Sequence, residues 1–490
     1  MPAAPKSLID MHCHVFNATD LPAITFINTV VRERFGQDPD GIMPGVGLLM
    51  EFVAGNAPRA ADELADLRGK PRPPSDFDTN GGGGEGFVFP PVTEEPDIGE
   101  DTQGGLIAWL HLFGLSRRDL IAKLRGHYTS TGKQCVLMTP ALVDYNAWLK
   151  HPERKNRRLT DQVAVMGELA RQPGTTRVHG FVGFDPIRAI LAEVGRNPVG
   201  VVSVPPIDPH KLIRDAITRH GFLGVKLYPP MGFRALHNDD PVMVFPQHVR
   251  DDVNSDGIGD SDLGKLIDAQ LSKLYKFCAK NGVPILAHGY NSNQAGQCFG
   301  WRASPQYWRE VIQKFSTAEK PLRVCVAHFG RFDAHQVNAN CVATGMLPDM
   351  WEAIFGTILS EPGSEFMFAD LSYFAEILDR TEGFQQRRAK LRDKLKKYLE
   401  KHDPDVKHLC YGSDWVMLGL EKNNERYHEE LGAFLSDDVG LTQKQLNGVF
   451  FGNAIRFLGL GPDDQGRARL KNFYDSNNIS AMFPKLDAQA

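Results

Sequence analysis

Apolar and β-branched residues recur along this chain in short runs of seven to nine positions, separated by longer stretches with helical spacing. Eight runs read as strands: SLIDMHCH (7–14), QCVLMTPAL (134–142), RVHGFVGF (177–184), FLGVKLYP (222–229), VPILAHG (283–289), LRVCVAHF (322–329), EFMFADLS (365–372) and KHLCYGSD (407–414). Amphipathic helices lie between them and carry start and stop signals. In DPHKLIRDAITRHG (208–221), Asp208 reads as the N-cap, Pro209 as the first helical residue and Gly221 as the stop. The stretch 441–460 opens with a Thr442–Gln445 capping box and reads as one helix.

Strands that alternate with helices, most too apolar to have a wet face, predict a parallel sheet. Eight of them predict an α/β fold closed into a (β/α)8 TIM barrel, with a doubly wound open sheet as the alternative. The strands spread over more than 400 residues, against about 250 for an ordinary barrel. Long insertions after strands 1 and 4, at about 17–133 and 231–260, account for the excess within a single domain spanning 1–490. Residues 69–105, rich in glycine and proline, read as a long irregular loop. Both insertions leave the C-terminal strand ends, where a lid would sit.

Composition narrows the function. Apolar residues make up 42% of the chain and charged ones 23%, and the net charge is −5 with both signs interspersed. No basic stripe points to nucleic acid, and no apolar run approaches the ~18 residues of a membrane span. The opening MPAAPKSLID lacks the apolar core of a signal peptide, so a cytoplasmic location is expected. The seven cysteines are scattered, several of them in strand runs, and read as reduced, buried thiols.

Polar chemistry gathers at the strand ends. His12 and His14 alternate with Cys13, so the two imidazoles share a strand face and the thiol points away. Such a pair can chelate one ion, or can simply be packed. His288, His328 and Asp414 close later strands, and Lys226 stands near the end of the fourth. In a barrel all of these converge on one mouth, which points to a metal centre there.

The series DMHCH, GVKLYP, ILAHG, VAHFG and YGSD, with FGNAIRFLGL (451–460) near the end, resembles the amidohydrolase superfamily. The likeness is nearest its amidohydrolase-related branch, which also includes decarboxylases and lactonases. It implies a distorted barrel with one or two divalent ions, Zn²⁺ first, with Mn²⁺, Fe²⁺ or Co²⁺ also accommodated. His12, His14, His288 and Asp414 match the core ligands. His328 matches a ligand of the second ion in two-metal members, or an unligated catalytic histidine in one-metal members. Lys226 matches either a CO2-derived carbamate that bridges two ions or an ammonium paired with Asp414 or a substrate carboxylate.

The activity expected is hydrolysis of an amide, cyclic amide or lactone of a small molecule, with Asp414 moving the proton. Non-oxidative decarboxylation of an aromatic or related acid is the alternative, and a non-catalytic scaffold a third reading. Tyr228, Tyr290, Asn291, Arg331 and Trp415 are candidate substrate contacts, as are Arg234, Asn293, Arg302, Asp370 and Ser372. Arg331 reads as a carboxylate clamp or as an ordinary surface charge. The resemblance also makes a homodimer the default assembly. Finally, DVNSDGIGD (252–260) has the oxygen spacing of a calcium loop but Leu263 where the bidentate acid belongs, so a solvated acidic loop is expected.

Overall fold

The computed structural model describes residues 5–22, 25–27, 53, 55–71, 102–149, 159–197, 206–254, 257–292, 298–332 and 350–487. Its strands are β1 (Ser7–Cys13), β2 (Gln134–Pro140), β3 (Arg177–Val178), β4 (Phe181–Gly183), β5 (Gly224–Leu227), β6 (Ile285–His288), β7 (Val324–Ala327), β8 (Met367–Asp370) and β9 (Leu409–Cys410). Each of the eight expected runs holds a strand, and the third holds two. The break falls at 179–180, where a Cβ on Gly180 would lie 2.8 Å from the Phe222 ring. There the His179 ring is also tied to the Gly221 carbonyl and the Tyr474 hydroxyl, each at 2.8 Å.

Pairing is parallel throughout, in the orders β1-β2-β3 and β4-β5-β6-β7-β8-β9. The two sheets meet at both edges. On one side Ala141, just past β2, bridges Phe181 of β4. On the other, Met11 N–H donates to the Tyr411 carbonyl at 3.3 Å, and Asp414 N–H donates to the His12 carbonyl at 2.8 Å. Hydrogen bonds rather than a strand ladder therefore join the last segment to the first, in the arrangement of a (β/α)8 barrel. Every residue of β4 to β9 is buried, as strands covered on both faces require.

The helices follow their signals with one exception. Asp208 caps Pro209–Arg219 by accepting the His210 N–H, and the Thr442–Gln445 capping box is formed. The stretch expected as one helix from 441 to 460 is instead divided into Gln443–Asn447, a π-helical turn Gly448–Gly452, and Asn453–Leu458. The wider turn leaves the Val449 carbonyl for the Tyr411 N–H at 2.8 Å, so it docks this segment on the end of β9.

The first insertion carries helices Ala60–Leu67 and Thr102–Leu112, and then Arg117–Ser130, which leads into β2 as a crossover helix. The irregular loop expected at 69–105 therefore stops short of Thr102, where the helix begins. Residues 72–101, Asn293, and 255–256 of the acidic loop lie outside the described residues. Within that acidic loop, Asp260 is already committed, accepting the Phe245 N–H at 2.9 Å and pairing with Arg250 at 3.5 Å.

Cys13, Cys135, Cys278, Cys325 and Cys410 are free and buried. Cys298, however, is disulfide-bonded, which corrects the expectation of reduced thiols throughout. The other five are fully buried in strands or core helices, whereas Cys298 is only half-buried on the loop past β6. Among the described residues, no helix is long and apolar enough to cross a membrane.

One buried charge cluster ties the two ends of the first insertion to each other and to the helix Ala60–Leu67 between them. Arg117, fully buried, donates to Asp20 Oδ1 at 2.5 Å and to Glu63 Oε2 at 3.0 Å. Glu63 also accepts the N–H groups of Arg117 and Arg118, at 3.0 and 2.8 Å, at the start of the helix. Arg117→Ala strands two carboxylates without a cation and is expected to cost about 3–5 kcal/mol in urea unfolding. A loss below ~1 kcal/mol, the size of an exposed pair, would mean that the cluster does not fasten this segment.

Candidate metal centre

His12 lies on β1, His14 just beyond it, Lys226 on β5, His288 at the last position of β6, and His328 directly after β7. Asp414 follows β9 by four residues. Parallel strands all end on the same face, so these side chains meet. Asp414 Oδ1 stands 3.5 Å from His12 Nε2 and 3.2 Å from His14 Nε2. One ligand atom each from His12, His328 and Asp414 lies within 4.8 Å of the others. The ring centroids of His12 and His328 are 5.0 Å apart, and those of His288 and His328 are 4.7 Å apart.

Hydrogen bonds behind the imidazoles set which nitrogen each presents. His12 Nδ1 lies 3.0 Å from Asp370 Oδ2, and His14 Nδ1 lies 2.8 Å from the Ala141 carbonyl. Both partners accept only, so each Nδ1 carries the proton and each Nε2 offers a lone pair. The Ser372 hydroxyl donates to Asp370 Oδ1, which leaves its oxygen to accept from His328 Nδ1 at 2.9 Å. His328 Nε2 is thus an acceptor as well. It suits ligation, and it cannot donate to a substrate carbonyl while neutral. His288 Nε2 is buried with no hydrogen-bond partner among the described residues. An orphaned imidazole nitrogen beside three lone-pair donors and a carboxylate fits a divalent cation.

The electrostatics agree. Burial, reinforced by Lys226, pushes His12 down to about 3 despite Asp370. Burial likewise lowers His288 and His328, so these three imidazoles are in the neutral form that ligation needs. For Asp414 burial works upward, and only protonated forms of His328, His14 and His12 pull the carboxyl below its usual range; with those imidazoles neutral, a bound cation would take over that role. Lys226 Nζ lies 3.1 Å from His12 Nε2, and burial brings it down to about 8 against the pull of Asp414 and Asp370.

The backbone bends to aim these groups. From His328 to Phe332 five consecutive residues have φ between 43° and 62°, and Asp414 has φ 55°. Left-handed backbone costs roughly 1–2 kcal/mol per non-glycine residue, so the turn needs anchors. His328 N–H donates to Asp370 Oδ1 at 2.9 Å and Gly330 N–H to the Gly289 carbonyl at 3.1 Å. Phe332 N–H donates to Glu352, and its carbonyl accepts from Lys394 Nζ at 2.6 Å.

The substrate candidates divide. Tyr228 stacks on His288 with centroids 4.3 Å apart, its hydroxyl 3.2 Å from Ser292 Oγ. Tyr290 and Asn291 are half-buried on the loop leaving β6, and Gly300 approaches so closely that a Cβ there would lie 2.1 Å from Asn291 Oδ1. Arg331 lies between the Tyr290 and Tyr373 rings, at 5.0 and 5.3 Å, and donates to Glu376 at 2.6 Å. Trp415 is buried against His127 of Arg117–Ser130, at 4.7 Å, rather than against the imidazoles. Arg302 serves the chain itself, donating to the carbonyls of Gly232 and Val244. Arg234 pairs with Asp240 at 3.0 Å.

Asp370 and Ser372, expected among the substrate contacts, lie fully buried behind the histidines and support them. Sequence reading missed Asp10, which accepts from Ser413 N–H at 3.0 Å, Ser413 Oγ at 2.6 Å and Tyr128 at 2.7 Å. It ties β1 to the segment bearing Asp414, and burial raises it to about 6. Its signal was present, since Asp10, His12 and His14 alternate on one strand face.

A family model described as amidohydrolase matches residues 146–460. No curated protein matches the sequence. Among solved structures, an amidohydrolase from Burkholderia multivorans with bound HEPES is 12% identical, covering 72% of this chain and 91% of its own, with a TM-score of 0.39. A second crystal form of it, with bound zinc, gives 12%, 72%, 91% and 0.38. A proposed metal-dependent hydrolase from Lactobacillus casei ATCC 334 gives 13% identity, 93% and 96% coverage, and a TM-score of 0.41.

Because it accepts His12, His328 and Ser372 together, Asp370 is the support whose change is most telling. Asp370→Asn is expected to lower divalent-metal affinity about ten- to a hundredfold, read by titration against a chelating dye. Unchanged affinity would mean that the imidazoles are oriented without it.

Proposed function

The chain belongs to the amidohydrolase family, and on that premise we propose that it hydrolyses an amide, cyclic amide or lactone bond of a small molecule. The observation that carries the reading is the convergence of Nε2 lone pairs from His12, His14 and His328 on the ionised Asp414, beside the unpartnered His288 Nε2. His12, His14, His288, His328 and Asp414 would hold one or two divalent ions. Zn²⁺ is the first choice for imidazole and carboxylate donors. A divalent ion there supplies an acidified water and polarises a carbonyl.

The protein's own groups do the rest. Asp414, ionised at neutral pH, takes the proton of the attacking water and returns it to the leaving nitrogen or oxygen. Burial at the strand ends keeps His12, His288 and His328 neutral and strengthens each electrostatic contact. Lys226 can join the ligands only as a carbamate, since an ammonium has no lone pair. Its lowered basicity makes the free amine that CO2 requires accessible near neutrality. Mass spectrometry of the intact protein under bicarbonate reads that adduct directly.

Asp414→Asn is expected to reduce turnover by about 10²–10⁴-fold on a panel of lactones, cyclic amides and linear amides. Near-full activity would place the base elsewhere. Release of CO2 from aromatic acids, with no hydrolysis of the panel, would replace this reading by decarboxylation.

A further inference from the structure

A small cavity lies beside the segment that carries Asp414, between it and the helices Arg117–Ser130 and Tyr427–Ala433. Tyr128, Tyr411, Ser413, Trp415 and His428 are in its wall. It offers about 10 Å³ to the centre of a water-sized sphere, which is room for one water. Trp415 Nε1 is buried with no hydrogen-bond partner among the described residues, while its indole packs T-shaped on the His127 ring at 4.7 Å.

Each hydroxyl in this wall has one proton, and that fixes the direction of its hydrogen bonds. Thr131 Oγ1 donates to the Tyr128 carbonyl at 2.9 Å, so its oxygen accepts from His428 Nε2 at 2.6 Å. His428 Nδ1 therefore carries the lone pair. Burial, with Lys133, His127 and Arg426 nearby, pushes His428 down to about 4 and keeps that lone pair free of a proton at neutral pH. Likewise Tyr128 Oη donates to Asp10 Oδ2 at 2.7 Å. Tyr411 Oη then donates to Tyr128 Oη at 3.1 Å and keeps its own lone pairs. The wall thus holds one unpaired donor and two acceptors.

We propose that this cavity is the binding site of one ordered water, which accepts the Trp415 Nε1 hydrogen and donates to His428 Nδ1 and Tyr411 Oη. Three hydrogen bonds are what a buried water ordinarily makes, and a buried N–H left unpaired costs the whole of its desolvation. The donor pattern also selects among occupants of this size. A metal or ammonium ion has no lone pair for the indole N–H, and a chloride ion has no hydrogen for the imidazole or the phenol oxygen. Water has both. It also closes a ring of hydrogen bonds. The ring runs from Tyr411 through Tyr128 to Asp10, on to Ser413 Oγ at 2.6 Å, and from there to the Trp415 backbone N–H at 3.1 Å. Ser413 and Trp415 are the residues on either side of Asp414. The inference stands apart from the hydrolase reading and from whichever ion the metal centre takes.

The test is a crystal structure of the full chain, with ¹⁵N-tryptophan-labelled protein as the check in solution. The crystal is expected to show a single water about 2.7–3.2 Å from Trp415 Nε1, His428 Nδ1 and Tyr411 Oη. The labelled protein carries six indole N–H groups. The signal missing from Trp415→Phe should show a nuclear Overhauser contact with a bound water. Tyr411→Phe, which removes one acceptor, should weaken that contact at least about twofold. Where Trp415→Phe does not fold, the crystal of the native chain decides. No density at this position, a chloride identified there by anomalous scattering, or an indole N–H bonded directly to a protein oxygen would overturn the proposal.

Discussion

The hydrogen bond from His12 Nδ1 to Asp370, 3.0 Å long and wholly buried, is the interaction on which the rest of the site depends. A neutral imidazole offers one lone pair, and only a fixed acceptor behind it decides which nitrogen presents that pair. Asp370 makes the choice for His12 directly and for His328 through the Ser372 hydroxyl. It also holds the backbone of His328. Burial works against an ionised carboxylate, yet His12, His328 and Ser372 together keep Asp370 below its ordinary range. One charge at the end of β8 thus aligns two ligand-type residues from β1 and the turn after β7.

The scaffold makes this alignment affordable. Strands buried on both faces fix where each chain segment emerges, and only then does the backbone depart from regular geometry. The left-handed turn from His328 to Phe332, and the left-handed Asp414, stand at the point where strand gives way to site. Such strain persists only where its surroundings over-determine it. Here Asp370, Gly289, Glu352 and Lys394 grip the turn, and the His12 carbonyl receives the Asp414 N–H. Asp10, one strand layer deeper, couples the same two segments through Ser413.

The fold is legible because most of its strands are too apolar to have a wet face, and the ends of those strands carry the ligand-type polar residues. What alternation along one strand could reveal, such as the shared face of His12 and His14, was readable locally. What depends on neighbours was not. Asp370 and Ser372 read as substrate contacts because a sequence does not say whether a polar residue at a strand end faces the mouth or supports another side chain. Trp415 follows Asp414 directly but packs on His127, with Asp414 itself left-handed at φ 55°. The π-helical turn at Gly448–Gly452 was hidden too, since the Tyr411 N–H it serves is remote in sequence.

The central claim is that these strand ends hold a divalent ion, and elemental mass spectrometry of the purified full chain tests it most directly. Protein prepared without chelator and exchanged into metal-free buffer is predicted to retain at least about one zinc or comparable divalent ion per chain, and the His12→Ala/His14→Ala double variant to lose it. Fewer than about 0.3 ions per chain after incubation with Zn²⁺, Mn²⁺, Fe²⁺ and Co²⁺ in turn, or full retention in the double variant, would contradict the account.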